Sequence, residues 1–220
     1  MGADLSHIDT WLFDLDNTLY PLETGLAFDI SDRITTYVEQ LTGLPRDDAR
    51  ALQKRYLEEH GLTLRGLMLH HGVDPDEYHA HLADVSLEFL ARDAALIEAL
   101  ERLPGRRLIF TNADAGHAAR VMRRLGVEAL FDDVFHIAAA DFVPKPSPRT
   151  FERLAAAHAI EAIRTCFFED APANLAPAHA LGMTTVLVGA KDQVERPGFI
   201  DYVAPDLAAF LAAASLKDPS

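Results

Sequence analysis

Positive charge is scarce in this chain: 20 lysines and arginines stand against 34 acidic residues, a formal net charge of −14. So acidic a surface offers no basic face, which argues against nucleic acid or an anionic membrane as partner. An anionic substrate must then be gripped by local cations against the average field. Cysteine is almost absent. The single thiol, Cys166, excludes an internal disulfide and has no companion for a zinc or redox motif, so it reads as an inert buried thiol in a reducing cytoplasm. Long apolar runs are missing as well, none approaching the ~20 residues that a membrane helix needs. No basic segment followed by an apolar one opens the chain, so no secretory signal is expected. The first six residues, Met1-Gly2-Ala3-Asp4-Leu5-Ser6, meet a loose myristoylation pattern. That pattern is short and easily met by chance, and Asp4 disfavours an anionic surface, so it is set aside.

What is present is 220 residues, 49% hydrophobic and 25% charged, enough for a full core in one large domain or a domain carrying an insert. The most informative segment is Trp11-Leu12-Phe13-Asp14-Leu15-Asp16-Asn17-Thr18. A run of large apolar residues without helical period reads as a buried strand. It ends in two carboxylates one residue apart. Close carboxylates repel and are costly to bury, so such a pair calls for a cation or a shared proton. At the carboxyl end of a strand, where open α/β sheets bind ligands, it points to a metal-dependent reaction centre. A solvated acidic turn is the plainer alternative for this pair taken alone.

Four further β-rich segments follow, at 107–111, 134–138, 165–168 and 184–188, with helical patterns between them at 115–125, 148–158 and 172–181. Alternation of this kind predicts βαβ units and a parallel sheet covered on both faces. Residues 200–204 suggest an edge strand and 207–214 a closing helix. From Glu23 to Arg92 the rhythm breaks: there is no strand signal, only helix-like patterns punctuated by Gly43, Pro45, Gly61, Gly72 and Pro75. Leu26, Ile30, Ile34, Tyr37, Val38 and Leu41 share one helical face. Seventy residues are too many for a crossover. The expected organisation is an α/β Rossmann-like core of residues 1–20 and 93–220, with an inserted all-helical cap at 21–92 above the strand ends.

In a parallel sheet, residues just beyond each strand's carboxyl end converge on one edge. Asp14 and Asp16 follow the first strand, Thr111 and Asn112 the second, Lys145 the third, and Glu169 and Asp170 the fourth. Each has a bland explanation: Thr111-Asn112 as a helix cap, Lys145 as a loop lysine between prolines, Glu169-Asp170 as charges complementing a helix dipole. One polar group per strand end is what chance explains poorly. Phosphoryl transfer through an aspartyl-phosphate needs this set. Asp14 serves as nucleophile, and Asp16 protonates the leaving alkoxide and then activates water. A hard cation, Mg²⁺, takes oxygen ligands from Asp14, the Asp16 carbonyl and Asp170, with Glu169 as a further ligand or a neighbour that orients one. Thr111, Asn112 and Lys145 bind the phosphoryl oxygens. Asn174 orients Lys145 or a metal ligand.

Phe13-Asp14-Leu15-Asp16-Asn17-Thr18-Leu19-Tyr20, Phe110-Thr111-Asn112-Ala113, Pro144-Lys145-Pro146 and Phe168-Glu169-Asp170 with Asn174 resemble the four motifs of the haloacid dehalogenase (HAD) superfamily, in order and across nearly the whole chain. The long insert after the first motif is similar to that superfamily's C1-type cap. The resemblance implies a Rossmann-like core and Mg²⁺-dependent phosphatase activity. Dehalogenase members lack the second aspartate, so Asp16 argues against that branch. Within the insert, Tyr56-Leu57-Glu58-Glu59-His60-Gly61-Leu62-Thr63-Leu64-Arg65-Gly66-Leu67 resembles the cap signature of yeast-type pyrimidine 5′-nucleotidases. That likeness implies a small phosphorylated metabolite, a pyrimidine nucleotide, as substrate, and makes Tyr56 and Arg65 candidates for contacting its base or ribose. His60 is read as packing, as are His70-His71 and His79-x-His81, which lack a carboxylate or cysteine at ligand spacing. Alternatives are a phosphatase for phosphoglycolate or a sugar phosphate, a phosphomutase, and a phospho-accepting signalling module of the response-regulator kind. The signalling module places its aspartate after the third strand, where this chain has Phe135-His136-Ile137. A monomer and a homodimer are both compatible with the sequence.

Overall fold

The computed structural model describes residues 2–190 and 197–217; Met1 of the opening hexapeptide lies outside them. Among the described residues the strands are β1 (Thr10–Phe13), β2 (Arg106–Phe110), β3 (Asp133–Phe135), β4 (Thr165–Glu169), β5 (Thr184–Val188) and β6 (Tyr202–Ala204). They form one sheet in the order β3-β2-β1-β4-β5-β6, every pair parallel. The helices are α1 (Leu26–Thr42), α2 (Arg46–His60), α3 (Thr63–His71), α4 (Pro75–Leu82), α5 (Ala94–Glu101), α6 (Ala115–Leu125), α7 (Pro148–His158), α8 (Pro172–Ala180) and α9 (Leu207–Ala213). None is long and apolar enough to cross a membrane.

β1 lies at the centre, flanked by β2 and β4, so its four residues are buried on both faces and show no polar alternation. Phe13 is in register with Ile109 and with Phe168, which brings the carboxyl ends of three strands level. The chain proceeds from β1 to one side of the sheet and later returns to the other. That makes the end of β1 the switch point at which open sheets form a crevice. On one face Trp11, Phe13 and Phe168 pack with residues of α5, α6 and α9; on the other Leu12, Phe110 and Phe167 pack with α7 and α8. Trp11 is a core residue, its indole donating to the Pro104 carbonyl at 2.6 Å. Cys166 is buried between these layers.

The third strand is shorter than the apolar run suggests. β3 is an edge strand that pairs only with β2, and its ladder ends with Phe110–Phe135. Beyond it the amide of Ile137 turns to the Ala113 carbonyl at 3.0 Å, and Asp141 and Phe142 take left-handed φ of 52° and 56°. This bend carries the chain back over the sheet edge to Lys145. α1–α4 fall between β1 and β2 and bury their own cluster of Val38, Leu52, Tyr56, Leu64, Leu67 and Tyr78, separate from the two sheet clusters. The insert is helical throughout its regular structure, as its residue pattern implies.

Candidate active site

Asp14 is the first residue beyond β1, and its amide donates to the Phe168 carbonyl of β4 at 2.9 Å, extending the ladder by one bond. The backbone is thereby fixed where the side chain must point. Lys145 reaches it from the opposite loop. Its ammonium makes three bonds of 2.7 Å, to Asp14 Oδ1, Glu169 Oε2 and the Phe110 carbonyl, and so spends all three donors inside the protein. It is 2% exposed, and Glu169 and Asp14 are buried beside it. Burial works against the ammonium, but Asp14 and Glu169 outweigh it and hold the lysine charged, its pKa raised. Burial, reinforced by Glu169, pushes the Asp14 carboxyl up to about 7 despite the lysine. Burial also raises Glu169 and Asp170.

Carboxylate oxygens of Asp14, Glu169 and Asp170 all lie within 4.8 Å of one another. The donor set is all oxygen and holds more negative charge than one lysine offsets, which fits a hard divalent cation such as Mg²⁺. Glu169 is the least free of the three: Oε2 accepts from Lys145 and Oε1 from the Ala171 amide at 3.1 Å.

Asn112 sits differently from expectation. Its Oδ1 accepts from the Lys145 amide at 2.8 Å and its Nδ2 donates to the Lys145 carbonyl at 3.3 Å. The side chain expected to hold a phosphoryl group thus clamps the main chain of the lysine. Thr111 is buried, its hydroxyl oxygen accepting from the Ala113 amide at 3.0 Å. Asn174 lines the same cavity but makes none of the lysine's three bonds, so it does not orient Lys145.

Asp16 stands beside this cluster, outside the trio of converging carboxylates. Its Oδ1 accepts from the Tyr20 hydroxyl at 2.5 Å and meets His117 Nε2 at 2.8 Å. Burial alone would raise its pKa, but His117 and Tyr20 outweigh it and lower it. In turn burial disfavours the imidazolium, yet Asp16 raises His117 on balance. Sequence reasoning missed both partners. The available signal was position: Tyr20 closes the first motif segment four residues after Asp16, and His117 follows the second segment by four residues, in the first turn of α6.

These groups open into a cavity of about 360 Å³. Its floor carries Asp14, Asp16, Thr111, Lys145 and Asp170, and its roof is Ile30 and Ile34 of α1, Leu62 and Leu64, and Tyr78, His79 and Leu82 of α4. Tyr56 and Arg65 are not in it. Tyr56 is buried in the helical insert, its hydroxyl 3.0 Å from His71 Nε2 and its ring stacked on His70. Arg65 donates to the Phe142 carbonyl at 3.0 Å, tying α3 to the loop that leads to Lys145. The expected substrate contacts from these two residues are corrected accordingly: a Tyr and an Arg amid apolar helix residues were satisfied by packing and by a backbone carbonyl. His60 packs, its ring against Tyr56 and its Nε2 3.2 Å from that of His70.

A parallel Rossmann-like sheet with a carboxylate–lysine cluster at the tip of its central strand defines the class. The chain belongs to the haloacid dehalogenase-like hydrolases, whose family model matches residues 8–182. It is 28% identical over 193 residues to Phosphate metabolism protein 8 of Saccharomyces cerevisiae, an alignment covering 80% of this chain and 60% of that protein. The chain thus spans about 60% of the length of that relative. Among solved structures it is similar to the HAD-hydrolase YfnB of Bacillus subtilis bound to magnesium (TM-score 0.62, 16% identity, 93% of this chain and 97% of that one). It is also similar to a HAD phosphatase from Thermococcus onnurineus (TM-score 0.58, 19% identity, 94% and 99%). At these identities the structural likeness concerns the fold.

Proposed function

We propose that this chain is a cytoplasmic, Mg²⁺-dependent phosphomonoester hydrolase that works through an aspartyl-phosphate on Asp14, with a pyrimidine nucleoside 5′-monophosphate as substrate. The observation that carries the reading is the convergence of Asp14, Glu169 and Asp170 around a buried lysine, with Asp16 alongside. Asp14 and Asp170, with the main-chain carbonyl of Asp16, would hold the cation, which would offset phosphoryl charge and keep Asp14 ionised. Lys145, already fixed by three bonds, presents a charge beside the nucleophile without reorganising. The Thr111 hydroxyl retains a donor for a phosphoryl oxygen. Asp14 attacks phosphorus and Asp16 gives its proton to the departing alkoxide. Asp16 then accepts a proton from the water that hydrolyses the acyl-phosphate, and both carboxylates return to their starting states.

Residues 21–92 act as a cap whose roof, Ile30, Ile34, Leu62, Leu64, Tyr78 and His79, meets the leaving group. A largely apolar wall with two rings suits a flat heterocycle, and the cavity is in the size range of small-molecule sites. Closure of that roof excludes bulk water during transfer. The test is Mg²⁺-dependent phosphate release from a panel of nucleotides, sugar phosphates and phosphoglycolate. Faster turnover of UMP and CMP than of purine nucleotides is expected, and Asp14→Asn should abolish release. Flat or sugar-phosphate-biased activity would refute the pyrimidine assignment.

A further inference from the structure

The two contacts on Asp16 fall on the same oxygen. Tyr20 donates to Oδ1 from the turn after β1, and His117 meets Oδ1 from α6, 101 residues away in sequence. Among the described residues Oδ2 has no hydrogen-bond partner. An ionised carboxylate only accepts, so the Nε2 facing it carries the hydrogen. His117 is itself placed by its helix end: Asp114 caps α6 and accepts the His117 amide at 3.0 Å. The Asp16 side chain retains 28% exposure and borders the cavity, whereas that of His117 retains 13%.

We propose that His117 and Tyr20 are positioning residues that anchor Oδ1 of Asp16, so that Oδ2 is the oxygen that delivers the proton to the leaving group and later takes one from water. With both donors on Oδ1, the proton of the acid form resides on Oδ2. In the first step the Oδ2–H bond breaks as the alkoxide oxygen gains the proton. In the second, Oδ2 recovers a proton from the attacking water, whose oxygen bonds to phosphorus. Without the anchors the carboxyl group rotates, and the protonated oxygen faces the leaving group for only part of the time. The two donors come from different elements, so loss of one leaves the other as a pivot. The proposal rests on the phosphatase reading above.

A positioning role for an acid separates from a structural one by leaving group. p-Nitrophenolate departs without a proton, whereas the ribose alkoxide of UMP needs one. Rapid-quench measurement of the first turnover with UMP should slow by about 10- to 100-fold in His117→Ala and about 5-fold in Tyr20→Phe, KM changing little. The burst with p-nitrophenyl phosphate should stay near the wild-type rate. His117→Gln, whose amide nitrogen reaches where Nε2 stood, should recover most of the loss, with thermal melting confirming that each variant is folded. Equal slowing on both substrates would overturn the proposal, as would an unchanged rate with UMP or a folded Gln variant that restores nothing. A wild-type protein that releases phosphate from neither substrate fails the phosphatase reading itself, and the proposal with it.

Discussion

Lys145 sits between two carboxylates, its side chain and that of Glu169 1% exposed and that of Asp14 11%. Removing one partner of a buried pair leaves an uncompensated charge, a loss of ~3–5 kcal/mol. Lys145→Met should therefore lower unfolding free energy by about that amount in urea at pH 7.5, as well as silence catalysis. Asp14 makes the cost depend on pH. Its carboxyl titrates near 3.8 when unfolded and at about 7 in the folded, metal-free protein, so the folded state holds an extra proton between those values. Stability of the metal-free protein from this group then falls as pH rises through that window. A cation needs the carboxylate, so stabilisation by Mg²⁺ should grow as pH rises. Thermal melts with and without Mg²⁺ should show a larger difference at pH 8 than at pH 5.5; equal differences would contradict it. At this scale the sequence was legible for which side chains meet: Asp14, Lys145 and Asp170 converge at the strand ends, with Asp16 alongside. It was silent where the role arises from spatial neighbours, as with His117 on Asp16 or the amide of Asn112 on the lysine backbone.

The strands were legible because buried parallel strands are short apolar runs bounded by polar turns, and β4 and β5 begin where those runs begin. β3 ended early because an edge strand has one ladder to support it, a fact the local sequence does not contain. The motif in α2 and α3 was recognisable but misassigned in detail. A Cβ on Gly66 would stand 2.4 Å from Tyr56 Cγ, so this glycine exists to let the ring pack. Gly66→Ala should destabilise the protein by ~1–3 kcal/mol through overpacking, measured by denaturant unfolding, with the first-turnover rate of the folded fraction retained. The connection from α4 to α5 is held by α6: Arg120 donates to the Val85 carbonyl at 3.0 Å and Arg124 to that of Leu90 at 2.7 Å. Arg124→Ala should sharpen limited proteolysis between residues 83 and 92 while the sheet remains protected. Unchanged cleavage there would show that the strap is held by other contacts.

For the whole molecule, a charge of −14 would repel a phosphate from most of the surface, so under the proposed function its capture would depend on a few fixed cationic and hydroxyl groups beneath an apolar roof. The sheet supplies rigid positions for the floor, while the helical insert, with a core of its own, supplies the roof. That division was visible in the sequence as a break in periodicity. Which helical residues line the cavity was not, because helix faces interchange roles once α1, α3 and α4 pack together: Ile30 and Ile34 line it while Tyr56 supports from behind. The most direct test of the whole scheme is to quench the enzyme during turnover of a ³²P-labelled phosphomonoester and map the label by peptide mass analysis. The expected result is a transient acyl-phosphate on the peptide containing Asp14, absent from Asp14→Asn; turnover with no covalent label at any time, or a label on another residue, would contradict it.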